Sequence, residues 1–347
     1  MAKKKYSVMK KKNMEPAVMT LSLGFDDDYT QSSQVEYIDL SQIASLVNRR
    51  FYRQGINWAV AGFKVITQNP GKVTIRKLPN SWITSNAWEK AFRAWNRQQK
   101  EALEEAGGLS AMAKFRDFKV FMDTQHVDDF IAAGSDLYST NLLPFDSFGN
   151  FALDGEWEPS RIVLPNTVDV SGPGINIDPS SVYMHMVGEN FNPPLAPGVA
   201  GISRGVLEGY ADSRAYPQSP DPVSPNVANA ENWLRQMFNV GNDNEAVTEL
   251  ATDVNDELPY DQVNYPGGQN NMPGLQIHDF VTMYETNPTF GLGVQRLKGG
   301  NFPCGLISIL WDRAAEVSED PTPGVTLLID LIPGDHRGYL CEPMTEM

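Results

Sequence analysis

Two runs near the C-terminal end constrain this chain most. Residues 305–311 (GLISILW) and 324–332 (GVTLLIDLI) are almost continuously apolar and are bounded by glycine and proline. Such runs read as strands with both faces covered. Residues 277–284 and 291–297 precede them as further strands. Earlier, residues 17–25 are apolar and strand-like until Asp26-Asp27-Asp28 interrupts them, residues 35–40 alternate, and residues 58–67 read as another strand. The turn Asn69-Pro70-Gly71 and the alternating residues 72–78 that follow it predict a hairpin with 58–67. Residues 114–123, 153–157, 160–164 and 182–188 are shorter candidates.

Helices are few. Residues 41–53 predict a short one, capped by Ser41, with Ile43, Leu46, Val47 and Phe51 on one side. Residues 86–106 carry the clearest helical spacing, in Trp88, Ala91, Phe92, Trp95 and Leu103, and Gly107-Gly108 ends them. Trp88 and Trp95, with Arg93 and Arg97 beside them, have the makings of a stacking platform for bases. Periodic aromatics belong more naturally to a core-facing stripe, and that is the expectation here. Residues 192–226 are loop-like, with many prolines; 229–257 are acidic and mildly helical around Trp233, Met237 and Phe238; 259–274 return to turn chemistry. Short strands, frequent Pro/Gly turns and no strand–helix alternation after residue 110 predict a mainly β chain. The expected architecture is an antiparallel jelly-roll sandwich with a few helices and an inserted surface lobe. The divisions are a basic arm and lead-in over 1–34, the first part of the body over 35–203, a Pro-rich acidic lobe over 204–274 and C-terminal strands over 275–347.

The formal charge of −15 hides an asymmetry. Residues 1–149 carry 20 basic against 16 acidic side chains, whereas residues 150–347 carry 8 against 27. One end of the chain is suited to a polyanion and the other to solvent. Lys3, Lys4, Lys5, Lys10, Lys11 and Lys12 form two triplets in a segment with little to bury. Lysines of this kind neutralise phosphates without reading sequence, which makes the segment a nucleic-acid arm; a solubilising tail or targeting signal is the plainer reading. Arg49, Arg50 and Arg53, with Lys64, Arg76 and Lys77, have two readings of equal weight, additions to an inner basic surface or solvated surface charges. No apolar window is long enough for a membrane helix, so no membrane insertion is expected, and the basic start lacks the apolar core of a secretory signal. Cys304 and Cys341 leave one bridge open but no disulfide framework.

Catalytic signatures are missing. The sequence holds no phosphate-binding glycine loop, no dinucleotide fingerprint, no nucleophile elbow and no His-Glu zinc motif. The run from His126 to Asp129 (HVDD) is expected to be a loop or helix cap, and His185 to be satisfied within a sheet. No catalytic residues, resident metal or cofactor are assigned. The acidic groups Asp26–Asp28 and Asp253, Asp256, Glu257 and Asp261 are the places where Ca²⁺ would find flexible oxygen ligands.

The stretches WITSNAWEKAFRAWNRQQKEAL (82–103), DTQHVDDF (123–130), LDGEWEPSRIVLPN (153–166) and the GLISILW strand resemble capsid proteins of small circular single-stranded DNA viruses. The likeness is nearest to the smacovirus-like and related environmental groups. That resemblance implies a jelly-roll subunit of an icosahedral shell in the virion, assembled inside the host cell, with the nucleus as one site. It also implies an interior basic arm on packaged single-stranded DNA and surface loops for a host-cell receptor. The chain departs from the pattern in having six lysines where related capsids carry a long arginine-rich arm. Two other readings stand beside it. One is a carbohydrate-binding or cell-attachment β-sandwich using Trp233, Tyr260 and Tyr265; the other is an enzyme of unfamiliar type built on His126 and Asp128.

Overall fold

Strands from the first eighty residues pair with strands from the last eighty. The computed structural model describes residues 16–25, 33–108, 117–133, 140–144, 157–165, 179–190, 203–214, 274–284, 293–314 and 324–347. In chain order its elements are β1 (Thr20–Phe25), β2 (Ser33–Asp39), α1 (Leu40–Asn48), β3 (Ile56–Thr67), β4 (Gly71–Lys77) and α2 (Trp82–Glu105). Next come α3 (Thr124–Ala132), β5 (Arg161–Pro165), β6 (Pro179–His185), β7 (Ser203–Gly205) and α4 (Val206–Arg214). The C-terminal part adds β8 (Gln276–Met283), β9 (Gly293–Phe302), β10 (Leu306–Arg313) and β11 (Val325–Leu331), then the short β12 (Pro333–Gly334), β13 (Gly338–Tyr339) and β14 (Cys341–Pro343).

The pairing is nested. β1 pairs with β11, β2 with β10, β3 with β9 and β4 with β8, all antiparallel. Two further ladders, β11 with β3 and β10 with β4, join these pairs into sheets. One sheet runs β1-β11-β3 with β9 on the far edge of β3, and β14 continues the β11 side beside Ile56 to Trp58. The other runs β2-β10-β4-β8. Their facing side chains make one core: Leu21 and Leu23 of β1, Phe63 and Val65 of β3, and Ile329 of β11 meet Ile38 of β2, Val73 and Ile75 of β4, and Ile307 and Trp311 of β10. The chain is therefore mainly β and built on antiparallel sheets. β10 is covered on both sides over its first half, as its sequence predicts. β11 differs: Val325, Leu327, Ile329 and Leu331 are buried, while Thr326, Leu328 and Asp330 are only half-buried.

A second apolar cluster lies against the other face of β2 and β10, where Tyr37 and Leu306 meet Ile83, Ala87, Trp88 and Trp95 of α2. Phe118 packs among the rings of Trp88, Phe92 and Trp95. Thus the aromatic stripe of α2 faces a core, as expected. Its solvent side is laced by Glu89–Arg93, Arg97–Glu101 and Lys100–Glu104 pairs at i,i+4, so Arg93 and Arg97 flank no stacking platform.

Several local expectations need correction. β3 and β4 do not form a hairpin, because the turn at 69–71 carries the chain from one sheet to the other. Gly71 is required by its neighbour: an added Cβ would lie 2.6 Å from the Trp311 ring. Ser41 does not cap α1. Asp39 does, accepting from Ser41 N at 2.8 Å and Gln42 N at 3.2 Å, while the Ser41 hydroxyl accepts from Trp58 Nε1. Residues 117–123 form no regular strand, since the Gln54 side chain takes the place of a neighbour: its Oε1 accepts from Val120 N at 2.6 Å and its Nε2 donates to Val120 O at 3.0 Å. The HVDD run is neither loop nor cap but lies inside α3, with Asp123 as its cap. Within the expected loop 192–226, residues 203–214 form β7 and α4, and Val206 and Leu207 are buried in the second cluster. The other parts of that stretch, with 114–116, 153–156, 229–257 and 259–273, lie outside the described residues. No helix among the described residues is long and apolar enough to cross a membrane, and Cys304 and Cys341 are free.

The closeness of β3 and β9 generates a test. A Cβ on Gly299 would lie 2.1 Å from Val60 O and 2.3 Å from Ala61 O, so Gly299→Ala must separate the two strands. It is expected to cost about 1–3 kcal/mol in urea unfolding. Gly209, in α4, would meet nothing within 4 Å, and Gly209→Ala is expected to stabilise by about 0.5–1 kcal/mol.

Candidate nucleic-acid interface

Arg49 and Arg50 follow α1, where the helix must stop and turn into β3. Arg49 is the C-cap in left-handed conformation, φ 51°, a geometry that favours glycine. The turn between β12 and β13 comes to the same corner. Arg337 lies in that turn, also left-handed at φ 51°. Its guanidinium donates to the carbonyl of Phe51, and its own carbonyl accepts from the Tyr52 hydroxyl at 3.1 Å. Burial pushes the Tyr52 phenol up, and Arg50 and Arg337 both oppose that rise. Arg49, Arg53 and Arg337 are exposed and Arg50 is half-buried. Burial, and then Arg337, lower the pKa of His336.

Residues 17 and 18, downstream in sequence of the six N-terminal lysines, are held at this corner. Val18 N donates to Asn48 Oδ1 at 3.0 Å, and the Tyr339 hydroxyl donates to Val18 O at 2.6 Å. Asn48 Nδ2 in turn donates to Tyr339 at 2.8 Å. Residues 17 and 18 are thereby fastened beside Arg49. Lys3, Lys4, Lys5, Lys10, Lys11 and Lys12 themselves lie outside the described residues.

Not every expected cation joins. Arg53 faces Asp117, whose carboxyl it helps to hold down against burial. Lys64 and Arg76 lie on opposite outer faces of the paired sheets, since Phe63 and Val65, and Val73 and Ile75, point into the core between them. Arg76 donates to Ser308 Oγ at 2.7 Å, and the Lys77 ammonium donates to Asn301 O at 3.2 Å. The expected inner basic surface is therefore not one surface. Arg337 was not singled out in the sequence; the signal was the turn tetrad Asp335-His336-Arg337-Gly338 just beyond an apolar strand.

The enzyme reading rests on His126, and its surroundings are closed. Met122 N donates to Nδ1 at 3.2 Å, so Nε2 carries the proton and donates to Asn141 Oδ1 at 2.8 Å. Asn141 passes the chain on to Gln42 Oε1 at 2.8 Å. The cavity beside His126 and Asp39 holds about 10 Å³, room for about one water molecule. Burial lowers His126 to about 4, leaving it a neutral structural group. His185 is likewise fixed, between Ser203 Oγ at 2.9 Å and Glu189 O at 3.0 Å. The acidic groups Asp26–Asp28 and Asp253, Asp256, Glu257 and Asp261, and the aromatic residues Trp233, Tyr260 and Tyr265, lie outside the described residues.

Two titrations with opposite signs follow. Burial, assisted by Asp129 and opposed by the Gln34 hydrogen bond, raises Glu36 from 4.5 to about 7. The folded state then binds the Glu36 proton more tightly than the unfolded chain, so its contribution is full below pH 4.5 and is lost as pH rises through 7. Glu36→Gln is expected to raise the melting temperature by about 2–4 °C at pH 8 and by progressively less toward pH 4.5, as read by calorimetry. His126 and His185 are both lowered from 6.5 to about 4. Their contribution is full above 6.5 and is lost progressively as pH falls from 6.5 through 4, so the Glu36→Gln variant, which lacks the opposing carboxylate titration, is expected to lose stability over that range.

Comparison with family models, with curated proteins and with solved structures finds no match for this chain.

Proposed function

We propose that this chain is a viral capsid subunit that encloses single-stranded DNA within a shell made of its own copies. The observation that carries the reading is the nested winding. β1 to β4 pair in turn with β11, β10, β9 and β8, and successive strands alternate between the two sheets. Four antiparallel pairs rolled into two facing sheets support the jelly-roll reading, a fold common among viral shells. Fold alone does not carry function, and two surface features support the assignment.

The first is the arginine corner. Three non-glycine residues among those described have positive φ, and two of them are Arg49 and Arg337. Left-handed backbone at a side chain of this size costs about 1–2 kcal/mol, and such strain gathers at functional positions. Val18 is tied to this corner six residues after Lys12 in sequence, so the lysines are proposed to act with the arginines on the same polyanion. Phosphate neutralisation with counterion release is its mechanism. The second feature is the β8 edge. β8 pairs with β4 alone among the described strands, and its Ile277 and Phe280 are 67% and 59% exposed, followed by Tyr284 at 75%. An apolar sheet edge of this kind suits contact between subunits.

Electron microscopy and light scattering of the purified protein across ionic strength test the proposal. Closed particles of uniform size are expected, with assembly dependent on salt; monomers under every condition would sink it. Ile277→Asp with Phe280→Asp is expected to leave the monomer folded and abolish particles. Arg49→Gly is expected to raise stability by about 1 kcal/mol while reducing bound single-stranded DNA. Arg50→Gln and Arg337→Gln are each expected to lower the slope of log affinity against log salt by about one.

A further inference from the structure

The structure assigns a second site, away from the arginine corner and independent of the shell reading. A cleft of about 320 Å³ opens between α2, the β5-β6-β7 sheet and α4. Its floor exists because α2 presents Ala87, Ala91 and Ala94 at successive turns where larger side chains would fill the space. Gly209 of α4 lines the opposite wall, and a Cβ there would meet nothing within 4 Å. The volume is at the low end of small-molecule sites, roughly 300–1,000 Å³.

The polar groups of the cleft are of one sign. Among the described lining residues the charged ones are Lys90 and Arg204. Lys90 is positioned, with its ammonium donating to Ser213 Oγ at 2.6 Å and lying 5.7 Å from the centre of the Tyr210 ring. An apolar trough with cationic groups beside it complements a small amphiphile with an aliphatic body and an anionic head, of the class of a medium-chain carboxylate. A wholly apolar ligand would make no contact with the ammonium at the exposed mouth of the cleft. Cationic amphiphiles would be repelled.

Isothermal titration of the full chain with decanoate, and separately with decyltrimethylammonium, both below micelle-forming concentrations, reads this directly. Decanoate is expected to bind saturably at one site per chain and to raise the melting temperature. The cationic amphiphile, with the same tail, is expected to bind at least about tenfold more weakly. Lys90→Gln is expected to weaken decanoate by about tenfold. Gly209→Leu, which places a side chain in the cleft, is expected to abolish binding, and Ala94→Phe does the same from the opposite wall if the first variant fails to fold. Circular dichroism establishes that each variant is folded. Absence of saturable binding, equal binding of both amphiphiles, or unchanged binding to folded variants of both walls would overturn the assignment.

Discussion

The ladders between the two ends of the chain govern everything else in this molecule. Thr20 faces Asp330 and Asp39 faces Leu306, so the main sheets consist of contacts between residues far apart in sequence. Each ladder must recover the entropy of closing a very long loop, a cost that grows only slowly with loop length. The shared apolar core between the sheets supplies the return. Length inside the loop is therefore cheap, which is why so much chain can intervene between β4 and β8. The two ends of that intervening chain meet, because Lys77 and Gln276 are cross-strand partners.

The intervening elements are tied back by buried polar groups as well as by apolar packing. Asp39 sits where β2 becomes α1 and is fully buried. One carboxylate oxygen caps the helix, while the other accepts from Gln54 Nε2 at 3.0 Å and Trp157 Nε1 at 3.2 Å. Gln54 then binds both backbone groups of Val120. Burial raises Asp39 to about 6 against the pull of these donors. A buried acid of this kind is tolerated because each oxygen accepts from two donors. The adjoining chain from His126 through Asn141 to Gln42 accounts for His126, which the sequence reads as part of a loop or helix cap, or as a metal or acid–base residue.

How much was legible depended on whether a signal was local. The apolar runs of β10 and β11 announced buried strands, and the aromatic spacing of α2 announced a core-facing helix, because burial imposes its period on neighbouring residues. Sheet membership is not local. Asn69-Pro70-Gly71 has the chemistry of a reversal whether the flanking strands pair or part, and only Trp311, far along the chain, decides the matter. Gln54 standing in for a strand is equally invisible, since nothing near it in sequence reveals Val120. The arginine corner was half legible: Arg49 and Arg50 were singled out from composition, while Arg337 joined them only through the β12–β13 turn. The cleft under α2 had no sequence signature, since three alanines at helical spacing read as propensity.

The placement of β10 and β11 bears on how the protein is made. Each is an inner strand of its sheet, flanked by β2 and β4 in one and by β1 and β3 in the other. A ribosome delivers both long after β1 to β4. Neither sheet can close until residues 306–331 have been made, so the four N-terminal strands wait for their central partners through the synthesis of everything between.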